Sequence, residues 1–460
     1  MRSSLTEGKV GVTLIKFTLP FLLASIIQMA YGAVDVLMLS WYASPSSLAG
    51  VGNGSTLIAS LTSVLFGFTN GGMILLGQYF GAKQEGNSAK TVGNIILLQA
   101  GVAILGAALI LSLGRLTISI TKVPGEIDEK GLTAINEAWK YMQICALGLV
   151  FQAGFNTISS MLRALGDSRT PLVFVSIACV VHIILGLALI RGFDMGASGA
   201  ALATVISQAL SFVISVLYIR RKSLPFKFTR HDIKPDKIIL KTIFRLGIPI
   251  SLQTMLSSLS FLVIATIINN MGLYASSANG LINSVINFYM IIPFAFGSSL
   301  SAVSAQNLGA GKPRRALEST RLGVVFSLAV AIPCTIAASF FPTRIISLFS
   351  PNENVVKVAA EYLIPFSWDF TLVGFIFCIN GFFNGCGITT FVAIHETVAA
   401  FAVRIPLSWA LSLLPGATLF HVGVGTPAAS LVSLLMCVIY YKVKLSGGKL
   451  ERLKIASDTA

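Results

Sequence analysis

Twelve long apolar runs dominate this 460-residue sequence and decide what the chain can fold into. A helix needs about 20 mostly apolar residues to cross a bilayer. The runs lie at roughly 13–39, 52–79, 91–113, 138–160, 170–190, 197–219, 242–268, 278–304, 319–341, 359–383, 390–413 and 424–442. Charged residues make up 11% of the chain, against about 25% in soluble domains. The sequence therefore predicts an all-α polytopic membrane protein with twelve transmembrane helices, and it excludes a soluble enzyme.

The basic residues fall mainly in every second gap between these runs. Of the 33 Lys and Arg residues, 25 lie in the two chain ends and alternate gaps, and seven lie in the opposite gaps. Because loops rich in Lys and Arg stay on the cytoplasmic side, we expect a plasma-membrane protein with both termini in the cytoplasm. The same distribution explains the net charge of +15. No nucleic-acid partner is needed, since no basic stripe alternates with aromatic residues.

The two halves of the chain repeat each other. GQYFGAKQ (77–84) and AQNLGAGK (305–312) end the second and eighth runs, and VHIILGLAL (181–189) matches VRIPLSWAL (403–411) at five of nine positions. Such duplicated membrane proteins are often transporters that work by alternating access, although the repeat could be purely structural. We expect two pseudo-symmetric six-helix bundles around a central cavity. The predicted units are a bundle at 1–219, a basic cytoplasmic linker at 220–241, a bundle at 242–443 and a cytoplasmic tail at 444–460.

Motifs for catalysis and nucleotide binding are missing from the apolar runs, which contain no HExxH, GxSxG or Walker A pattern. The six cysteines form no CxxC pair, which indicates free thiols rather than a disulfide framework or a metal site. We therefore expect no enzyme activity, no cofactor and no bound metal.

Four segments of the chain resemble multidrug and toxic compound extrusion (MATE) transporters. They are GQYFGAKQEG, AQNLGAGKPRRA, LRALGDSRTP (162–171) and AVDVLMLSW (33–41). The major facilitator superfamily would instead place an Asp-Arg-rich motif where this chain reads GAKQEGNS. The resemblance implies a secondary active antiporter that exports amphipathic, often cationic organic compounds in exchange for H⁺ or Na⁺. A flippase for lipid-linked precursors is the alternative, but several basic cavity residues are expected there and Arg404 alone qualifies.

Ionisable side chains inside the apolar runs are the strongest candidates for function. Each buried charge costs about 2.5–3.5 kcal/mol on insertion scales, so such positions are informative. They are Asp35, Asp369, Glu396 and Arg404, joined by His182 and His395. The sequence leaves the roles of Glu396 and His395 undecided.

Asp35 in the first run is the predicted carrier of a proton or cation. Gln28 and Tyr31 precede it by seven and four residues, so the three side chains share one helical face. An apolar setting disfavours the charged carboxylate, which allows proton exchange; a purely structural Asp is the alternative. The resemblance is to the DinF-type branch, and it implies that Asp35 is the coupling carboxylate fifteen residues after the helix-bending Pro20.

The fifth run departs from the pattern of that branch. His182 and Gly186 stand where the branch usually has Asn and Asp, while Asn156 and Thr204 fall where it has polar site residues. Imidazole is a poor ligand for Na⁺, but it titrates near neutral pH. A pair of Asp35 and His182 therefore favours H⁺ over Na⁺ as the coupling ion. A packing role for His182 is the alternative.

Asp369 and Arg404 in the second half are predicted to form a buried ion pair. They lie at similar depths in the tenth and eleventh runs, and an isolated Arg there would be costly. The pair would act as a structural clasp or a gate. The NorM-type branch binds Na⁺ with acids in the seventh and tenth runs, whereas this chain has Ser257 and a displaced Asp369. The resemblance therefore gives little support for a sodium site of that type.

Phe288, Tyr289 and Phe294 of the eighth run are the predicted aromatic lining of a substrate cavity. Aromatic faces and flexible methionines suit bulky apolar cations. The expected partners are small drug-like cations and membrane lipids, and one twelve-span chain is expected to function as a monomer.

Overall fold

Long helices make up most of the computed structural model, which describes residues 5–120, 133–222, 224–453 and 455–456. Twelve of the described helices are long and apolar enough to cross a membrane, which confirms the predicted fold class. In chain order, spans 1 to 12 are Val10–Tyr42, Pro45–Gly81, Glu85–Ile118, Ala134–Ala164, Arg169–Gly192, Gly196–Lys222, Lys237–Asn269, Leu273–Gly309, Pro313–Phe340, Glu353–Gly385, Thr389–Ser412 and Leu419–Leu445. Most extend beyond the apolar runs, because each helix continues into its polar ends.

The two halves of the chain pack in the same way. In the first half, span 4 contacts spans 2, 3 and 6, and span 5 contacts span 1; in the second, span 10 contacts spans 8, 9 and 12, and span 11 contacts span 7. The repeat seen in the sequence is therefore also a repeat of helix packing.

Spans 5 and 11 share a local irregularity. Each changes from α to the wider π winding, over Leu187–Gly192 in span 5 and over Ala399–Arg404 in span 11. Such π segments occur frequently at functional sites. His182 lies five residues before the first segment and Arg404 closes the second, so both ionisable positions adjoin a π turn.

The two halves meet at one end of the molecule, which we call the basic face because the chain ends and the Lys/Arg-rich gaps lie there. Gln78 of span 2 donates its Nε2 hydrogen to the Gly385 carbonyl at 2.9 Å. Gln306 of span 8 donates to the Ala164 carbonyl at 2.5 Å. Gly385 and Ala164 are the last residues of spans 10 and 4, so each glutamine satisfies a helix-end carbonyl that has no partner within its own helix.

The same two glutamines also hold the chain ends. The Oε1 atom of Gln78 accepts from the Ala456 amide at 2.8 Å, and that of Gln306 accepts from the Leu5 amide at 3.2 Å. We call Gln78, Gln306 and these four hydrogen bonds the glutamine clasp. All four bonds of the clasp cross between the first half with its N-terminal segment and the second half with its C-terminal segment.

The connection between the halves folds back onto span 3. The Asn94 side chain of that span donates to the Lys234 carbonyl at 3.1 Å and accepts from the Asp236 amide at 2.8 Å. Within the connection, the Thr229 amide and hydroxyl both donate to Asp232 Oδ2 at 2.7 Å. These hydrogen bonds lower the pKa of the Asp232 carboxyl, because they stabilise its charged form.

Candidate functional site

A buried polar cluster lies where spans 1, 5 and 6 meet. His182 Nε2 is 3.2 Å from Asp35 Oδ1 and 3.3 Å from Thr204 Oγ1. The Thr204 hydroxyl donates to Asp35 Oδ2 at 3.3 Å. Asp35 is 7% exposed and His182 is fully buried. Three predicted site residues from three spans are thus brought into one closed cluster, which we call the Asp35 cluster.

The surroundings of this cluster are mainly apolar. The Tyr31 ring lies against His182, with ring centroids 4.7 Å apart. A Cβ atom at Gly186 would meet the Met38 sulfur at 2.6 Å. The side chain of Met38 therefore packs against the backbone at Gly186, and span 5 contributes the imidazole and no carboxylate here.

Two further predicted residues lie apart from the cluster. Gln28 faces the central cavity described below, two helical turns from Asp35. Asn156 is half-buried in span 4, and neither side chain hydrogen-bonds Asp35, His182 or Thr204 within the described part of the chain. Pro20 lies inside the continuous helix of span 1.

A central cavity of about 750 Å³ lies between the halves, with most of its wall in the second half. Spans 1 and 2 contribute part of the wall, and spans 7, 8, 10, 11 and 12 contribute the rest. Asp369, Glu396 and Arg404 all line it, together with Ser257. Three of the predicted ionisable residues therefore share one compartment, while the Asp35 cluster lies outside this set of lining residues.

Of the three aromatic residues of span 8 predicted for a substrate cavity, the structure places one in the described cavity lining. Phe294 lines the cavity and contacts Phe66 of span 2, with ring centroids 5.8 Å apart. Phe288 is 63% exposed, and Tyr289 is buried against Phe370, stacked at 3.9 Å. Neither belongs to the described lining, because their helical positions turn them away from the face that carries Phe294.

The predicted ion pair between Asp369 and Arg404 is not formed. Among the described residues, Arg404 has no carboxylate oxygen within 4.0 Å. Its guanidinium lies over the Phe261 ring at 4.5 Å from the centroid and donates to Ser260 Oγ at 3.5 Å. Asp369 and Ser430 both line the cavity. The two charges thus face the cavity from separate positions instead of neutralising each other directly.

Glu396 ends a buried hydrogen-bond chain on the cavity wall. The Asn380 amide nitrogen donates to Glu396 Oε1 at 2.8 Å, so Asn380 Oδ1 is left to accept from His395 Nε2 at 3.0 Å. His395 Nδ1 in turn lies 2.9 Å from Ser433 Oγ. Cys437 Sγ also lies 3.5 Å from His395 Nε2, so His395 is held by three neighbours, and Glu396 points one of its oxygens into this network.

Comparison with known proteins agrees with this architecture. A family model described as MatE matches residues 20–188 and 249–410, which together exceed half of the chain. The chain belongs to the MatE family. The two matched segments begin at or near Pro20 and Pro249, the equivalent prolines of spans 1 and 7.

Several curated relatives match this MatE chain over almost their whole length. The probable multidrug resistance proteins YoeA and YpnP of Bacillus subtilis (strain 168) are each 27% identical, with coverage of 95% and 98% of this chain and 94% and 98% of theirs. The multidrug export protein MepA of Staphylococcus haemolyticus is 24% identical over 90% of this chain and 89% of its own. These MatE relatives are transporters, so the chain is a membrane transporter and not an enzyme.

Solved structures show the same fold. A structure of MATE in complex with MaL6 has a TM-score of 0.88 at 16% identity, covering 98% of this chain and 100% of that chain. An outward-facing MATE family transporter of the MOP superfamily has a TM-score of 0.87 at 15% identity, with 99% of each chain covered. At these identities the likeness concerns the fold alone.

Some residues of the MatE chain gained importance only from the structure. Asn380 is uncharged and inconspicuous in the sequence, yet it links Glu396 to His395. Glu137, at the start of span 4, is 2% exposed and accepts from Ser47 Oγ at 3.0 Å. An acid beside the polar end of an apolar run gives no sign of such burial, so a search restricted to the runs misses it.

Proposed function

We propose that this chain is a secondary active efflux transporter that exports amphipathic, often cationic organic compounds in exchange for protons. The Asp35 cluster is the observation that carries the proposal. A carboxyl and an imidazole 3.2 Å apart, both buried, can pass through several protonation states as a unit. Exchange of a proton there changes the charge of span 1 relative to spans 5 and 6, which supplies a reason for the helices to move.

Proton coupling is favoured over Na⁺ coupling by the ligands present. Sodium, as a hard cation, is expected to prefer several oxygen donors, whereas here one carboxylate and one hydroxyl face an imidazole nitrogen. Gly186 offers no side chain, and Met38 packs against it, so span 5 supplies no second carboxylate. The cluster is therefore better suited to hold a proton than a sodium ion.

The arrangement of the halves fits alternating access. The glutamine clasp closes the basic face, which we place in the cytoplasm because of its Lys and Arg residues, in a plasma membrane. In this state the cavity would then release exported compounds toward the other side of the membrane. Both halves of the cavity come from one chain, so we expect a functional monomer surrounded by lipid.

The composition of the cavity supports export over lipid-linked precursor flipping. Among the described lining residues, Arg404 is the basic one, and it is accompanied by Asp369 and Glu396. A pyrophosphate-bearing lipid would require more positive charge there. The multidrug names of the relatives point in the same direction.

The test is efflux of a fluorescent organic cation from proteoliposomes, driven by a proton gradient alone or a sodium gradient alone. We expect proton-driven transport by the native chain and its loss in Asp35→Asn. Asp194→Asn is the matched control, since it removes the same charge in the loop between spans 5 and 6, at a left-handed position (φ 51°) that Asn tolerates. Transport driven by sodium alone would contradict the proposal.

A further inference from the structure

Arg404 is a cation presented to the cavity with most of its hydrogen-bonding capacity unused. It is 8% exposed, and its described contacts are the face of Phe261 and one long hydrogen bond to Ser260. Its Nε has no partner among the described residues. A guanidinium has five N–H donors, so most of them remain available to a molecule in the cavity.

Two acidic residues line the same cavity as this cation without pairing with it. Asp369 and Glu396 belong to the cavity wall, but within the described part of the chain neither has a carboxylate oxygen within 4.0 Å of Arg404. Asp369 is 2% exposed, and its Oδ1 has no described hydrogen-bond partner. The wall of the cavity therefore carries one basic and two acidic side chains that do not bond to each other.

Another part of the wall is apolar and aromatic. Phe66 and Phe294 line the cavity and contact each other. A compound that fills the space must therefore combine an apolar aromatic body with polar groups at one end.

We propose that Arg404 binds a carboxylate of the transported compound, so that this residue distinguishes a free carboxylate from its ester. The inference rests on the transport function proposed above and assigns a specificity-determining residue to the cavity. A planar guanidinium binds a carboxylate through two parallel hydrogen bonds, and stacking on Phe261 fixes its plane while leaving its edge free. The ammonium group of the same compound would lie near Asp369, whose Oδ1 is free to accept.

The experiment compares two dyes that differ in one group. Rhodamine 110 carries a free carboxylate and is a zwitterion, whereas rhodamine 123 is its methyl ester and is a cation. Binding of each dye to the purified chain is measured by fluorescence polarisation for the native protein, Arg404→Gln and Arg404→Lys. Arg344→Gln, which removes an exposed arginine outside the cavity lining, is the matched control.

We expect Arg404→Gln to weaken rhodamine 110 binding about tenfold or more relative to rhodamine 123, as loss of a charged hydrogen-bonded pair implies. Arg404→Lys should bind rhodamine 110 with an affinity between those of the native chain and Arg404→Gln, since lysine keeps the positive charge but lacks the paired N–H donors of the guanidinium. An equal effect of Arg404→Gln on both dyes would overturn the inference. If Arg404→Gln fails to fold, the Arg404→Lys variant decides. The inference would be overturned too if this variant bound each dye as tightly as the native chain does.

Binding needs no gradient, so it decides the role of Arg404 separately from transport. One outcome is that Arg404→Gln weakens binding of rhodamine 110 but not of rhodamine 123, while a proton gradient drives neither dye. It would support the Arg404 assignment and count against the proposed antiport. The other outcome is that a proton gradient drives both dyes, and that Arg404→Gln prefers neither dye more than the native chain does. It would support the antiport and count against the Arg404 assignment.

Discussion

The glutamine clasp predicts how strongly the basic face is held shut. Gln306→Ala removes two buried hydrogen bonds, one to the Ala164 carbonyl and one from the Leu5 amide. Both partners belong to the other half of the molecule, so both bonds must break when the halves separate at this face. At about 1 kcal/mol each, their loss destabilises the closed state by about 2 kcal/mol, which corresponds to an about 30-fold larger open population.

Hydrogen–deuterium exchange in lipid nanodiscs measures this population directly, because amides protected by the closed face exchange only when it opens. We expect exchange of peptides covering the ends of spans 4 and 8 to accelerate by up to about 30-fold in Gln306→Ala. Gln78→Ala should have the same effect, since its two bonds are equivalent. Because each glutamine bonds residues of the other half, each variant should accelerate exchange in peptides of both halves.

Gln84→Ala is the matched control for the clasp. Gln84 lies on the same face, but its described side-chain hydrogen bond is to Asn87 in its own segment. Unchanged exchange in Gln306→Ala, or equal acceleration in Gln84→Ala, would refute the reasoning.

Three further substitutions test the remaining parts of the structure. His182→Gln should change the pH dependence of proton-driven efflux while leaving the fold intact, since the amide can still reach Thr204; a pH profile identical to that of the native chain would show that His182 only packs. Glu137→Ala leaves the Ser47 hydroxyl and the Ala197 amide without their acceptor. We therefore expect the free energy of unfolding to fall by about 2–4 kcal/mol and the melting temperature in detergent to fall with it; an unchanged melting temperature would contradict this. Phe294→Ala removes the ring between Phe21 and Phe66 and should weaken dye binding several-fold. It should lower the melting temperature by no more than the control Phe288→Ala does. If Phe288→Ala weakened dye binding more than Phe294→Ala, the dye would bind outside this cavity.

The sequence was sufficient for the fold and for the contact between Asp35 and His182, for identifiable physical reasons. Each span must be a long apolar helix, because lipid offers no hydrogen bonds to the backbone. The number and order of the spans can therefore be read from the sequence. Asp35 and His182 could be paired because buried ionisable groups are costly and few. Thr204 followed from the family resemblance, and its contact with both residues supports that carry-over.

The positions that the sequence did not resolve depend on rotation and depth between helices. Tyr289 and Phe294 share a span and an aromatic character, yet about a third of a turn in helix phase decides that Phe294 alone faces the cavity. Asp369 and Arg404 share a depth, but depth along two helices leaves their lateral distance open. The clasp shows the same limit, because the glutamine of each repeated motif meets a carbonyl more than 140 residues away.

The repeat explains why the two halves carry different chemistry at equivalent places. His182 and Arg404 align in the matching segments of spans 5 and 11, and each meets the first span of its own half, through Tyr31 and through Ser260 and Phe261. An imidazole can lose its charge near neutral pH, whereas a guanidinium cannot. The imidazole of His182 is enclosed with a carboxylate, where by our proposal a change of protonation alters helix contacts. The permanent charge of Arg404 lines the cavity, where it can select a ligand but cannot be switched by protons. By our proposals, one repeated position thus provides the coupling group in the first half and a substrate contact in the second.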